Sequence, residues 1–151
     1  MIDLSPQSRF GMALCGVARR WRRWLDDGLA AAGHDDASWL PLTHLAGAEA
    51  PICQRDLAHR AGLDESTLVR LIDRLVARGH VEKRPSATDR RSNLLTITPA
   101  GRTAASEVFA VLERIEADLL GPTTEAERAA ALDLLERIDG RITASRRAGK
   151  P

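Results

Sequence analysis

Two short helical patterns joined by four residues constrain this chain more than any other feature. In ICQRDLAHRAGLDESTLVRLIDRLVARGHVEKR, residues Ile52 to Arg84, helical patterns run over Gln54 to Arg60 and again over Glu65 to Arg78, with apolar residues spaced as on an amphipathic helix. Between them lies Ala61-Gly62-Leu63-Asp64. Its glycine can take a positive φ, and its aspartate can accept hydrogen bonds from the first free N–H groups of the next helix. This is the layout of a helix-turn-helix.

The second helix divides cleanly at about 100° per residue. Leu68, Leu71, Ile72 and Leu75 gather on one side, and Ser66, Thr67, Arg70, Asp73 and Arg74 on the other. Short hydroxyls near the start and a guanidinium one turn later suit a helix that enters a major groove. There Arg reads guanine O6 and N7, and hydroxyls reach phosphates or bases. An ordinary solvated helix face would have the same composition, so the residues that follow decide between the two. After Gly79, Val81 to Arg84 predicts a strand, Pro85 to Arg91 a polar loop and Asn93 to Thr98 a returning strand. A hairpin placed directly after a helix-turn-helix is a wing. In TDRRSNLLTIT, the arginines Arg90 and Arg91 fall at its tip, where a protruding guanidinium suits the narrow, electronegative minor groove. Asp89, two residues before Arg91, is placed to brace it by charge-assisted hydrogen bonds.

Charge is distributed accordingly. The formal net charge is only +1, yet residues 54–102 carry ten Lys or Arg against six acids, while the rest of the chain holds twelve against fifteen. A basic island between acidic flanks is the footprint of a polyanion-binding module. Other classes find no support. No apolar run approaches the roughly 18 residues of a membrane span, and the first residues lack a signal-peptide pattern, so a cytoplasmic protein without membrane association is expected. Cys15 and Cys53 make no disulfide framework, and Cys and His are not spaced for zinc; no metal or cofactor is expected. His34, His44, His59 and His80 are scattered, and no metalloprotease, nucleophile-elbow or phosphate-cradling motif occurs. An enzyme is therefore not expected.

With 151 residues, 44% of them hydrophobic, the chain fits one compact domain or a core module with helical extensions. Phe10, Leu14, Val17, Trp21, Trp24 and Leu25 define one long amphipathic helix from Ser5 to about Gly33. A short one follows around Ser38 to Ala46, with Pro41 tolerable only in its first turn. Thr98 and Pro99 suit an N-cap and first helical residue. Val108, Val111, Leu112, Ile115 and Leu119 then form one stripe, and Leu132, Leu135, Ile138 and Ile142 another after Gly121-Pro122. These helices are too long to be buried by the small central module, so a second copy is expected to cover them, the alternative being an intrachain bundle. The fold class is mainly α with a small β-hairpin wing: an N-terminal dimerisation helix (1–36), a winged helix-turn-helix (37–98) and C-terminal dimerisation helices (99–151).

The stretch QRDLAHRAGLDESTLVRLIDRLVARGHVEKRPSATDRRSNLLTITPAG resembles the winged helix-turn-helix of the MarR family of bacterial transcription regulators, and the flanking helices agree in length and order. The resemblance implies a homodimer on a pseudo-palindromic duplex operator, with Arg91 in the minor groove and Arg90 on a phosphate. Asp73, in LIDRL, resembles a family position that can pair with the wing arginine and affect its placement. Cys53 stands where the family often has Ser or Thr, and sulfur is a much weaker capping acceptor. The family's effectors are small anionic aromatics held between the dimer helices and the reading module. Arg20, Trp24, Trp39 and His44 are candidates to line such a site, although core packing accounts for the two tryptophans equally well. Cys15 lies near the reactive cysteine of peroxide-sensing relatives, but the chain lacks the supporting tyrosines, and an inert buried thiol is the expectation. The reading is a dimeric DNA-binding transcription regulator, a repressor in preference to an activator, released by a small molecule. The alternatives are a ligand-independent architectural DNA-binding protein and a thiol-based redox regulator using Cys15.

Overall fold

The structure is a computed structural model that describes residues 4–34, 36–86 and 93–149. It contains α1 (Pro6–Ala31), α2 (Trp39–Ala46), β1 (Ile52–Cys53), α3 (Gln54–Ala61), α4 (Glu65–Ala77), β2 (Val81–Pro85), β3 (Asn93–Ile97), α5 (Pro99–Leu120) and α6 (Glu125–Arg147). The chain is mostly helical, with a small antiparallel sheet in the order β1-β3-β2. It divides after Ile115 into two compact units.

Local chemistry sets the helix ends in the first unit. Ser5 Oγ accepts the Ser8 N–H at 3.2 Å and Pro6 opens α1, a position where the missing N–H costs nothing. Gly33 at φ 91° closes it, with the His34 N–H returning to Leu29 O at 2.8 Å. Gly62 at φ 62° ends α3 in the left-handed region, and Asp64 caps α4. Thr98 does two jobs: its Oγ1 accepts the Gly101 N–H at 3.0 Å and donates to Gly79 O at 2.7 Å. The start of α5 is thus tied to the turn between α4 and β2. Gly101 is obligatory at this joint, because a Cβ there would collide with the His80 carbonyl oxygen and crowd Ile97.

Two apolar clusters hold the unit together. Leu45, Leu57, Leu68, Ile72, Leu75 and Leu95, each no more than 2% exposed, centre the first between α2, α3, α4 and the sheet. Leu25 and Leu29 of α1, Trp39 and Leu40 of α2, and Val108, Val111 and Leu112 of α5 form the second. This second cluster corrects one expectation. Three members of the α5 stripe assigned to a second copy are buried inside their own chain, because Leu25 and Leu29 present a matching stripe on α1. The N-terminal half of α1 is different: Leu4 to Arg20 includes no buried residue, and Phe10, Val17 and, further on, Trp24 are exposed. Cys15 lies in this half and is exposed, contrary to the expected buried thiol.

The second unit begins at Glu116 and carries α6. Thr124 opens α6 in a reciprocal cap, its N–H and Oγ1 both donating to Glu127 Oε2 at 2.8 Å while the Glu127 N–H returns to Thr124 Oγ1 at 3.2 Å. Leu132, Leu135 and Ile142 are exposed along α6, and Ile138 is half-buried.

Candidate nucleic-acid interface

Helix α4 buries Leu68, Leu71, Ile72 and Leu75 and leaves Ser66, Arg70, Asp73 and Arg74 exposed, with Thr67 half-buried. The division expected from the 100° rule holds at each of these positions. Asp64 organises the start of the helix. Its carboxylate accepts the Thr67 N–H at 2.8 Å, the Thr67 hydroxyl at 2.6 Å and the Ser66 hydroxyl. The bonds from Ser66 and Thr67 hold the Asp64 carboxyl far below the ordinary carboxylate range. Both hydroxyls therefore direct their protons inward and present oxygen lone pairs outward. In this arrangement they are acceptors, suited to a base amino group; donation to a phosphate requires release from Asp64.

Arg70 and Arg74 stand in no ion pair among the described residues, so their guanidinium groups face solvent uncommitted. Asp73 does have a partner, Lys83 Nζ on β2 at 3.3 Å. The carboxylate that the resemblance linked to the wing arginine is thus joined to the base of the wing. Lys83 is a residue that sequence reasoning passed over, since nothing local distinguishes it from other cations of the island. Arg55 at the start of α3 lies 3.9 Å from Glu65 at the start of α4, an exposed pair of little energetic weight. The hairpin runs from Val81 opposite Ile97 to Pro85 opposite Asn93. Asp89, Arg90 and Arg91 lie between those arms, outside the described residues. Cys53 occupies the cap position of α3 in extended backbone and makes no side-chain cap hydrogen bond, as expected of sulfur.

Below the C-terminal end of α4 lies a cavity of about 310 Å³, lined in part by Asp36, Ser38, Trp39, Arg78, His80 and Glu107. Trp39 is buried, donates Nε1–H to Asp26 Oδ1 at 2.9 Å, and carries the Arg22 guanidinium 5.3 Å from its ring centroid. Of the four residues expected to line an effector site, Trp39 borders this cavity, whereas Arg20, Trp24 and His44 do not. Arg20 packs near Gly16 on the exposed part of α1, Trp24 is 52% exposed, and His44 is half-buried in α2. Burial first, then the Arg22 and Arg60 charges, push the His44 imidazole below its ordinary value. Asp36 is the cavity's fixed anion. Burial opposes its charge, but hydrogen bonds from Ser38 and the pairing with Arg78 outweigh that and hold its carboxyl below the usual range. His80 Nδ1 is buried with no hydrogen-bond partner among the described residues.

No helix among the described residues is long and apolar enough to cross a membrane, and those residues include no cluster of three or more His, Cys, Asp or Glu able to hold a metal. A model of the MarR family matches residues 33–92, which contain the helix-turn-helix and the first arm of the hairpin, β2. The transcriptional regulator PA3341 has a solved structure 33% identical to this chain, superimposing with a TM-score of 0.75 over 89% of this chain and 98% of that one. A MarR-family regulator from Rhodococcus sp. RHA1 is 23% identical with a TM-score of 0.76, covering 90% of this chain and 96% of its own. CouR from Rhodococcus jostii RHA1, solved with p-coumaroyl-CoA bound, is 22% identical with a TM-score of 0.73, covering 90% and 95%. The last two speak to the fold alone. An exposed basic face on a helix locked from behind, a hairpin beside it, and a regulator at 33% identity across almost its full length lead to one conclusion: the chain belongs to the MarR family of winged-helix, DNA-binding transcription regulators.

Proposed function

We propose that this chain is a homodimeric repressor that binds a pseudo-palindromic duplex operator in the cytoplasm and is released by a small anionic aromatic effector. The observation that carries the reading is the outer face of α4, where Arg70 and Arg74 are exposed and form no ion pair among the described residues, beside acceptor-presenting Ser66 and Thr67. Arg70 and Arg74 read guanine edges in the major groove, Arg91 enters the minor groove braced by Asp89, and Arg90 contacts a phosphate. Asp73 steadies the wing from its base through Lys83. Residues 37–98 read DNA, and the flanks 1–36 and 99–151 dimerise. Dimerisation is supported by the exposed apolar residues Phe10, Val17 and Trp24 on α1 and Leu132, Leu135 and Ile142 on α6, which a closed two-fold pair would cover.

The effector occupies the cavity beneath α4, where Trp39 offers an aromatic wall and His80 a buried Nδ1 with no hydrogen-bond partner among the described residues. A relative's structure with bound p-coumaroyl-CoA supports ligand control. The exposure of Cys15 favours thiol control as the second reading; unchanged DNA binding after peroxide treatment removes it.

The test is fluorescence anisotropy with duplexes selected from a random pool. Arg70→Ala should weaken the selected palindrome by about 1–3 kcal/mol and relax specificity at one base position. Arg91→Ala should weaken binding across sites with a narrow minor groove. Failure to enrich any sequence would instead favour an architectural protein that binds duplex DNA without sequence preference.

A further inference from the structure

Among the described residues, one ion pair links the C-terminal end of α4 to the α1–α2 loop. Arg78, the residue that caps α4, reaches Asp36 through Nη2. The carboxylate is a fixed anchor: its Oδ1 accepts the Ser38 N–H at 2.7 Å, and the Asp36 side chain is only 16% exposed. Ser38 leads directly into Trp39, which is buried in the α1–α2–α5 cluster. On the other side, Leu75 seats α4 in the core one turn before Arg78, and Gly79 at φ 73° turns the chain into β2 just after it. The pair therefore joins the α1–α2 loop to the hinge point between reading helix and wing, which the Thr98–Gly79 hydrogen bond already ties to the start of α5.

We propose that Asp36–Arg78 is a latch that sets the end of α4 and the base of the wing against the scaffold, with Arg78 acting as a positioning residue. A guanidinium already engaged by an anchored carboxylate is poorly placed to bind phosphate. Without the latch the last turn of α4 loses its tether to the α1–α2 loop and keeps only the Thr98 bond at Gly79, so fixing its orientation falls in part to the binding step, which lowers affinity without removing any DNA contact. The effect on DNA rests on the reading of α4 as the recognition helix; the mechanical effect does not.

The experiment compares Asp36→Asn, Arg78→Gln and the double variant. Amide hydrogen exchange in the free protein should accelerate over Leu75 to Val81 in both single variants. On the selected operator duplex, each should weaken binding on the order of tenfold, and the double variant should be no weaker than the worse single. The slope of log affinity against log salt should stay at the wild-type value. Unchanged exchange in both variants overturns the latch. So does a split in which Arg78→Gln flattens the salt slope by about one phosphate contact while Asp36→Asn binds as well as wild type or better, since Arg78 is then a DNA contact. If no duplex is bound at all, the recognition reading fails, and the exchange data still decide the latch. Should Asp36→Asn fold poorly, Arg78→Gln, at a side chain 51% exposed, carries the test.

Discussion

Helices α4 and α6 have comparable apolar stripes and use them in opposite ways. On α4 all four members, Leu68, Leu71, Ile72 and Leu75, are at most 5% exposed. On α6, Leu132 is 57%, Leu135 43% and Ile142 48% exposed. Helix α4 meets α2, α3 and the sheet, all supplied by its own unit; the second unit consists of little more than the end of α5 and α6, too few residues to enclose a core. Each fully buried leucine is worth roughly 1.5–3 kcal/mol relative to an exposed one, so a stripe left bare forgoes several such terms. The contrast teaches that periodicity specifies which face is to be buried and says nothing about which surface will bury it.

The largest effect should come from α6. Leu132→Glu with Leu135→Glu is expected to leave a monomer in sedimentation equilibrium and to cut operator affinity on the order of 10³-fold, toward the non-specific level. Retained dimer mass with unchanged affinity would show that this stripe is not an interface, and the contrast with α4 would lose its meaning. Leu75→Ala should do the reverse, lowering stability to denaturant by about 2–5 kcal/mol without altering the mass of the proposed dimer. If it also dissociated the protein, the two regions would be coupled. The smallest effect concerns His44. Its folded-state value lies below the ordinary 6.5, so the folded chain resists protonation more than the unfolded chain does. Stability should then be fully present above pH 6.5 and decline as pH falls through the window beneath it. Thermal midpoints across that window should flatten in His44→Asn; an identical slope in the variant would assign the acid sensitivity elsewhere.

What was legible in the sequence was local. The faces of α4, the left-handed Gly62, the Asp64 cap and the arms of the hairpin all depend on residues within a few positions of one another. Strand β1 was not legible, because two residues with no alternation become a strand only when Ile52 meets Leu95. The same holds for charge pairs: Asp36 and Arg78 read as ordinary solvated side chains until the fold brings them together, and Asp73, linked by resemblance to the wing arginine, finds Lys83 only in the folded chain. The same limit applies to the tryptophans of α1. Trp24 belongs to the exposed side of α1, whereas Leu25 and Leu29 define its inward side, and the short spacing of Trp21, Trp24 and Leu25 does not reveal which of them turns inward. Helix α5 is the corresponding case in reverse: its stripe was expected against a second copy, with an intrachain bundle as the alternative, and Val108, Val111 and Leu112 of that stripe meet α1 and α2 of their own chain.

The joint at Thr98 and Gly101 bears on portability. A reading module cut after residue 98 would keep the Thr98 hydroxyl on Gly79 O but lose the helix turn that Thr98 caps. It would also lose Ala105, which belongs to the first apolar cluster. The smallest piece that can be moved onto another dimerisation scaffold with its core intact therefore runs through Ala105 and brings Gly101 with it; a host helix spliced any earlier must itself carry glycine at the position that faces the His80 carbonyl.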